Sequence, residues 1–241
     1  MNLSQSLLKA SSELSHVVDE LSFSPPVTHV YNPLNYALRS HKQFIKRYAN
    51  DHKRVVFLGM NPGPYGMAQT GVPFGEIAAV RDWMKIESPV DRPTLENPKR
   101  PISGFACTRS EVSGRRLWGL MEERFDTAEN FFKEHFVLNY CPLVFMEEGG
   151  KNVTPDKLKA TEKAPLFAAC DQHLRQALKI LQPEWAVGIG GFAQQCLQRL
   201  DKEKSLSVKI GKVLHPSPAS PAANRGWSQA AERQLIEQGI W

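Results

Sequence analysis

An α/β fold is predicted: a central four-stranded parallel sheet flanked by helices on both faces. Three observations carry it. Short apolar runs at 55–58, 136–140, 185–190 and 207–214 alternate with stretches whose apolar residues recur at helical spacing, and such alternation builds parallel sheets. The run Val55-Val56-Phe57-Leu58 is apolar throughout, as in strands buried on both faces. No internal repeat or linker interrupts the 241 residues, a length that suits one domain with a full core. Residues 1–241 are therefore expected to form a single domain, with 1–30 as an N-terminal helical extension packed on it.

Charge and cysteine usage narrow the function. The formal net charge of +5 is a mild tilt toward polyanionic partners. No apolar run approaches the ~20 residues that span a bilayer, and the N-terminus MNLSQSLLKASSEL lacks a signal-peptide core. Cys107, Cys141, Cys170 and Cys196 form no C-x-x-C pair, which argues against a zinc or iron–sulfur site. The expectation is a soluble intracellular monomer, cytoplasmic in a prokaryote or nuclear in a eukaryote, with reduced thiols, no metal and no cofactor.

In chain order, Leu3, Leu7, Leu14, Val17, Val18 and Leu21 mark an amphipathic helix over 3–21, broken at Phe23-Ser24-Pro25-Pro26. Pro33 suits the first turn of a second helix, running to about Asn50 with Tyr36, Phe44, Ile45 and Tyr48 on its buried face. His41, Lys42, Lys46, Arg47, His52, Lys53 and Arg54 read as a solvated face. Ile77, Val80, Trp83 and Met84 suggest a short helix. The stretch from Glu87 to Gly114 lacks periodicity, is spaced by prolines and carries Lys99, Arg100 and Arg109; loops of that length are often functional. A helix restarts with Ser113 as its cap and Arg115 and Arg116 in its first turn, where cations oppose the helix dipole unless a phosphate is near. Residues 147–157 read as a polar loop. Helices follow at 166–181, from Gly191 to near Leu200, and from Gly226-Trp227 onward.

The organising stretch is Arg54 to Glu76. Its strand ends in a run holding Gly59, Pro62, Gly63, Pro64 and Gly66, where neither helix nor strand continues. Loops leaving the carboxyl ends of strands in open α/β sheets are where ligands bind. Neither GxxxxGK[ST] nor GxGxxG is present, which disfavours a nucleotide-dependent enzyme. Asn61, Asn139 and His215 each follow a predicted strand at its carboxyl end. Singly they are turn residues or a satisfied histidine. Together they converge on one cleft.

The string GMNPGPYGMAQTGVPFGE at 59–76 resembles the first motif of the single-strand-selective monofunctional uracil-DNA glycosylases, and YNPLNYA at 31–37 fits the same family. The resemblance covers roughly residues 30–240. It implies a monofunctional hydrolase that flips and excises uracil, and 5-substituted uracils such as 5-hydroxymethyluracil, from single- and double-stranded DNA to start base excision repair. It implies that Asn61 positions the attacking water and His215 stabilises the departing base. Asn139 reads the base and Phe74 stacks on it. Met60, Gly63 and Met67 complete the pocket, with Gly63 standing where highly uracil-selective relatives carry a Tyr. Ser217, Pro218, Ala219, Ser220 and Arg225 are expected to form a DNA-binding wedge. The family's animal members carry Arg where this chain has Ala219. The alternative is a non-catalytic reader of uracil or damaged DNA using the same pocket.

Overall fold

The structure, a computed structural model, describes residues 2–202 and 208–241. Its helices and strands run α1 (Leu3–Asp19), β1 (His29–Tyr31), α2 (Pro33–Tyr36), α3 (Leu38–Tyr48), β2 (Val55–Gly59), α4 (Met67–Thr70), α5 (Val112–Phe125), α6 (Ala128–Glu134), β3 (His135–Asn139), β4 (Val144–Met146), β5 (Asn152–Val153), α7 (Ala160–Leu181), β6 (Trp185–Ile189), α8 (Gly191–Lys202), β7 (Lys209–Val213) and α9 (Trp227–Glu237). The main sheet is parallel throughout, in the order β3-β2-β6-β7, with helices on both faces. Every residue of β2 is buried, as its unbroken apolar run requires. Each such Val, Leu or Phe contributes about 1.5–3 kcal/mol on burial. The expected fourth strand opened at Ser207, which lies outside the described residues.

Strand order fixes where a site can form. From β2 the chain moves to β3 on one side, then crosses to β6 on the other. That reversal is a topological switch point, and the crevice beyond the strands' carboxyl ends at such a point is where open α/β sheets bind ligands. β2 and β3 stay zipped past their ends: Gly59 pairs with Asn139, Tyr140 N–H donates to Gly59 O at 3.0 Å, and Cys141 N–H to Met60 O at 2.9 Å.

A second, antiparallel sheet, β1-β4-β5, has no counterpart in the sequence reading. Tyr31, Val144 and Met146 pack with Tyr36, Ala37, Ala68 and Ile102 beneath it. It carries Leu143 and the segment after β5 toward the crevice, so the expected 147–157 loop is in part strand.

Other local expectations shift for identifiable reasons. The helix expected from Pro33 to Asn50 is two, broken at Ala37 (φ −102°, ψ 25°), whose carbonyl the Gly71 turn approaches closely. Pro33 does open α2, and the Asn32 side chain caps it by accepting from Leu34 N–H. Ile77 to Met84 winds as a π-turn, Ala79–Trp83. α5 starts at Val112 with Glu111 as its cap residue, so Ser113 sits buried in the first turn and does not cap. α7 begins at Ala160, earlier than expected, with Pro165 inside it. His41 and Lys53 are not on a solvated face: both are buried. His41 Nδ1 donates to Gly71 O at 3.0 Å while its Nε2 is buried without a partner, and the Lys53 ammonium donates to Phe132 O.

Candidate active site

Beyond the carboxyl ends of β2 and β3 lies a cavity of about 300 Å³ lined by Met60, Asn61, Gly63, Phe74, Asn139, His215 and Ser217, together with Pro62, Glu111, Ser113, Asn152 and Thr154. Asn61, Asn139 and His215 therefore share one space.

Asn61 follows β2 by two residues. Both its hydrogen bonds use Nδ2, to Leu143 O at 3.1 Å and Pro62 O at 3.4 Å. The amide is held through its donor, and Oδ1 is free to accept from a water. Asn139 closes β3. Its Nδ2 lies 3.3 Å from Met67 Sδ, and its Oδ1 is buried without a protein partner. Buried carbonyls are nearly always hydrogen-bonded, so this oxygen is poised for a ligand donor. Met67 thus contacts the Asn139 amide.

Phe74 adopts φ +52°, a left-handed conformation uncommon for a bulky residue and one that clusters at functional sites. The surroundings fix it: its carbonyl accepts from Trp118 Nε1 at 2.9 Å and Glu76 N–H at 2.7 Å, and Thr70 Oγ1 donates to Gly75 O at 2.9 Å. Its ring lies 6.3 Å from the His215 ring. The ring and the Asn139 amide meet over Gly59, where a Cβ would fall 2.4 Å from Asn139 Oδ1 and 2.5 Å from Phe74 Cε2. Only glycine allows that convergence.

His215 leaves β7 by two residues. Leu214 on its approach is pinned by α9: Trp227 Nε1 donates to Leu214 O at 2.7 Å and Gln234 Oε1 accepts from Leu214 N–H at 2.8 Å. Ser217 N–H donates to His215 Nδ1 at 3.1 Å. Nδ1 is therefore the unprotonated nitrogen and the neutral ring carries its proton on Nε2. Burial pushes the imidazole pKa below its usual value, which favours that neutral form. Gly190, at φ +88°, clears the ring: a Cβ there would sit 3.0 Å from His215 Cβ.

The segment after His215 is a braced surface turn. Ser220 N–H donates to Ser217 O at 3.0 Å, Ala219 N–H to Ser217 Oγ at 3.2 Å, and Asn224 Nδ2 to Pro218 O at 2.9 Å. Pro218, Ala219 and Arg225 are exposed and Ser220 partly so, and of the five residues expected in the wedge only Ser217 lines the cavity. Arg116 from α5 clamps this turn, donating through Nη1 to Pro216 O and through Nη2 to Asn224 Oδ1, each at 2.9 Å. The misplaced-seeming cation in the first turn of α5 thus has a partner in the loop. Tyr65, in the turn with Gly63, is flanked by the guanidinium of Arg109 at 4.6 Å from the ring centroid and that of Arg100 at 5.4 Å.

Glu111, Ser113, Asn152 and Thr154 line the cavity without having been foreseen. No local pattern marks Asn152 or Thr154, which arrive with the small sheet. Glu111 carried one faint signal, a carboxylate directly before an apolar helix start. Its carboxyl is pushed up to about 7, first by burial, with the Glu76 charge adding to it and a Gly114 N–H opposing. As a residue it keeps some exposure, but Oε2 is sealed and has no protein partner.

A parallel sheet with a polar, amide-reading cavity at its switch point and no phosphate-binding motif defines the class. The chain belongs to the uracil DNA glycosylase superfamily, whose model matches residues 46–237, and is accordingly a hydrolase of N-glycosidic bonds. It is 42% identical over 239 residues to the single-strand selective monofunctional uracil DNA glycosylase of Bos taurus, covering 99% of this chain and 88% of that protein. The Mus musculus protein of the same name is also 42% identical over 239 residues, 99% of this chain and 86% of that one. The crystal structure of wild-type Pedobacter heparinus SMUG2 superposes with a TM-score of 0.69 at 20% identity, over 100% of this chain and 96% of that chain, a likeness of fold.

Proposed function

We propose that this protein hydrolyses the N-glycosidic bond of uracil in DNA without lyase chemistry, the first step of base excision repair. The observation that carries this reading is the pairing, across one cavity, of an Asn139 amide with an unpartnered buried Oδ1 and a neutral His215 whose free proton is on Nε2. Uracil offers N3–H and O4 side by side, which match Oδ1 and Nδ2 of Asn139. Cytosine offers N3 and N4–H₂, the reverse order, and meets a clash of like groups.

In the reaction the C1′–N1 bond breaks heterolytically. Its electron pair passes to the base and delocalises onto O2, while positive charge develops on the sugar. The Nε2–H of His215 donates to O2 as that charge grows, acting as a preorganised dipole. Water held by Asn61 Oδ1 adds to C1′ and its proton is lost, giving free uracil and an abasic sugar. Asn61 orients the water and does not deprotonate it, an amide having no basic pKa near neutrality. Phe74 stacks on the base, worth about 1–3 kcal/mol. The residues described as lining the cavity include no lysine, in keeping with hydrolysis without a covalent imine.

The cavity opens at the sheet edge, so a base must leave the helical stack to enter it. The braced turn at 216–225 supports a wedge role, in which Ser217 and Arg225 would contact phosphates. The small Gly63 supports acceptance of 5-substituted uracils. The test is product analysis on one oligonucleotide sequence bearing uracil, 5-hydroxymethyluracil, cytosine or thymine, single- and double-stranded. Excision of uracil and of 5-hydroxymethyluracil, with cytosine and thymine intact, is expected. Binding of the uracil strand without release of base would overturn the enzymatic reading.

A further inference from the structure

The cavity wall beside Gly63 holds a carboxyl group. A Cβ on Gly63 would fall 2.9 Å from Glu111 Oε1, one on Gly66 within 2.2 Å of Oε2, and one on Gly114 within 3.0 Å of Oε2. Three glycines thus form the seat of this side chain, and α5 delivers it there in place of a helix cap. The carboxyl sits near the Gly114 N–H, but Oε2, sealed against these glycines, makes no regular hydrogen bond. Glu111 lines the cavity, and Oε1 is its carboxyl oxygen on the Gly63 side.

The ring position it meets follows from the other two polar groups, and so this inference rests on the uracil reading above. Passing round the base from O2 at His215, the next atoms are N3 and O4 at Asn139, and the next is C5. The donor end of the Asn139 amide, the O4 end, points to Met67 Sδ at 3.3 Å. Met67 begins α4, directly after the Gly63–Gly66 turn, which Gly66 N–H closes by donating to Gly63 O at 3.4 Å. C5 therefore lies toward Gly63 and the carboxyl behind it.

We propose that Glu111 is a specificity-determining residue that selects the 5-substituent of the base, accepting a hydrogen bond from a hydroxyl-bearing group and rejecting a methyl. A 5-hydroxymethyl group places an O–H within reach of Oε1. A methyl in the same place displaces water from a carboxyl already short of partners and returns no hydrogen bond, and leaving a buried polar group unpaired costs more than making the bond gains. Unsubstituted uracil leaves room there for water. A small gap beside C5 would by itself admit methyl and hydroxymethyl groups alike; a carboxyl in that wall separates them by chemistry.

The experiment measures kcat/KM on uracil and 5-hydroxymethyluracil in one single-stranded sequence for the wild type, Glu111→Gln and Glu111→Met. The readout is the ratio of the two substrates within each protein, so a general loss of activity cancels. The wild type should cleave both. At pH 8, where a carboxyl pushed up to about 7 is mostly ionised, Glu111→Met, of similar length but apolar, should lower the hydroxymethyl-to-uracil ratio by about 10- to 100-fold, the worth of a hydrogen bond to a charged group. Glu111→Gln keeps the shape and a neutral partner, so its ratio should fall several-fold and lie between the two. It carries the test if the Met variant does not fold. An unchanged ratio in the isosteric Gln variant and in Met, or a wild type that cleaves uracil but not 5-hydroxymethyluracil, overturns the proposal. Failure of the wild type to cleave uracil at all overturns instead the functional reading beneath it.

Discussion

His215 is a donor because of Ser217. The backbone N–H at Nδ1 leaves the proton on Nε2, and burial disfavours a second one. Acidification must place a proton on Nδ1 against that N–H, so the folded pKa lies below the usual 6.5. Activity should therefore hold as pH falls through 6.5 and drop only below it. A pH–rate profile for uracil excision checks this, and an acid limb at or above 6.5 would contradict it. Asn139 is fixed just as locally, by the end of β3 and by Gly59 beneath it. Asn139→Asp replaces the O4 donor with an acceptor, and should abolish uracil excision or erase the preference for uracil over cytosine, a discrimination worth about 1–3 kcal/mol per correct pair. Competition between the two bases in otherwise identical oligonucleotides measures it; full activity with cytosine still refused would remove Asn139 from the role.

At the scale of elements, the braced turn at 215–225 and the Arg116 clamp form one device. Its prolines restrict the backbone, which in the proposed wedge role keeps the ordering cost of entering a duplex small. Ala219 at its tip is exposed and lacks the reach and charge of an arginine. Ala219→Arg should accelerate uracil excision from paired duplex more than from single strands, because unstacking a paired base costs a few kcal/mol and least for single strands. Single-turnover rates on both substrates at one salt concentration test this, and equal changes on both would make the turn a mere connector. Of these elements the long apolar strands were legible in sequence, since five consecutive buried positions leave an unbroken apolar run in β2. The strands of the second sheet were not: β1 and β4 have three residues each and β5 two, too short for any periodicity. Asn61, Asn139 and His215 could be placed on one edge because parallel topology puts strand ends together. The burial of Glu111, His41 and Lys53 could not be foreseen, because it arises where one segment docks on another far away in sequence.

For the whole molecule, buried histidines set the acid limit. His41, His135 and His173 are each pushed down to about 4 by burial, against about 6.5 in an unfolded chain. Between those values the unfolded state binds protons that the folded state refuses, so their contribution is present above about 6.5 and lost as pH falls toward 4, at roughly 1.4 kcal/mol per pH unit for each net proton. Glu111 runs the other way: its folded value near 7 means that acidification relieves a cost, but it is one group against three. The melting temperature should therefore be lower at pH 5 than at pH 7, and His173→Gln should flatten that dependence; a melting temperature that does not fall on acidification would contradict the burial of these rings. The same folded frame brings strand ends, amides and imidazole to one cavity, and the central claim is that this cavity breaks the uracil–deoxyribose bond by stabilising the departing base through His215. The most direct measurement is single-turnover release of uracil from a single-stranded oligonucleotide by the wild type and by His215→Ala, with melting curves for both. The account predicts rapid release by the wild type and a loss of about 100-fold or more in the variant at nearly unchanged stability; near-equal release rates from the two folded proteins would contradict it.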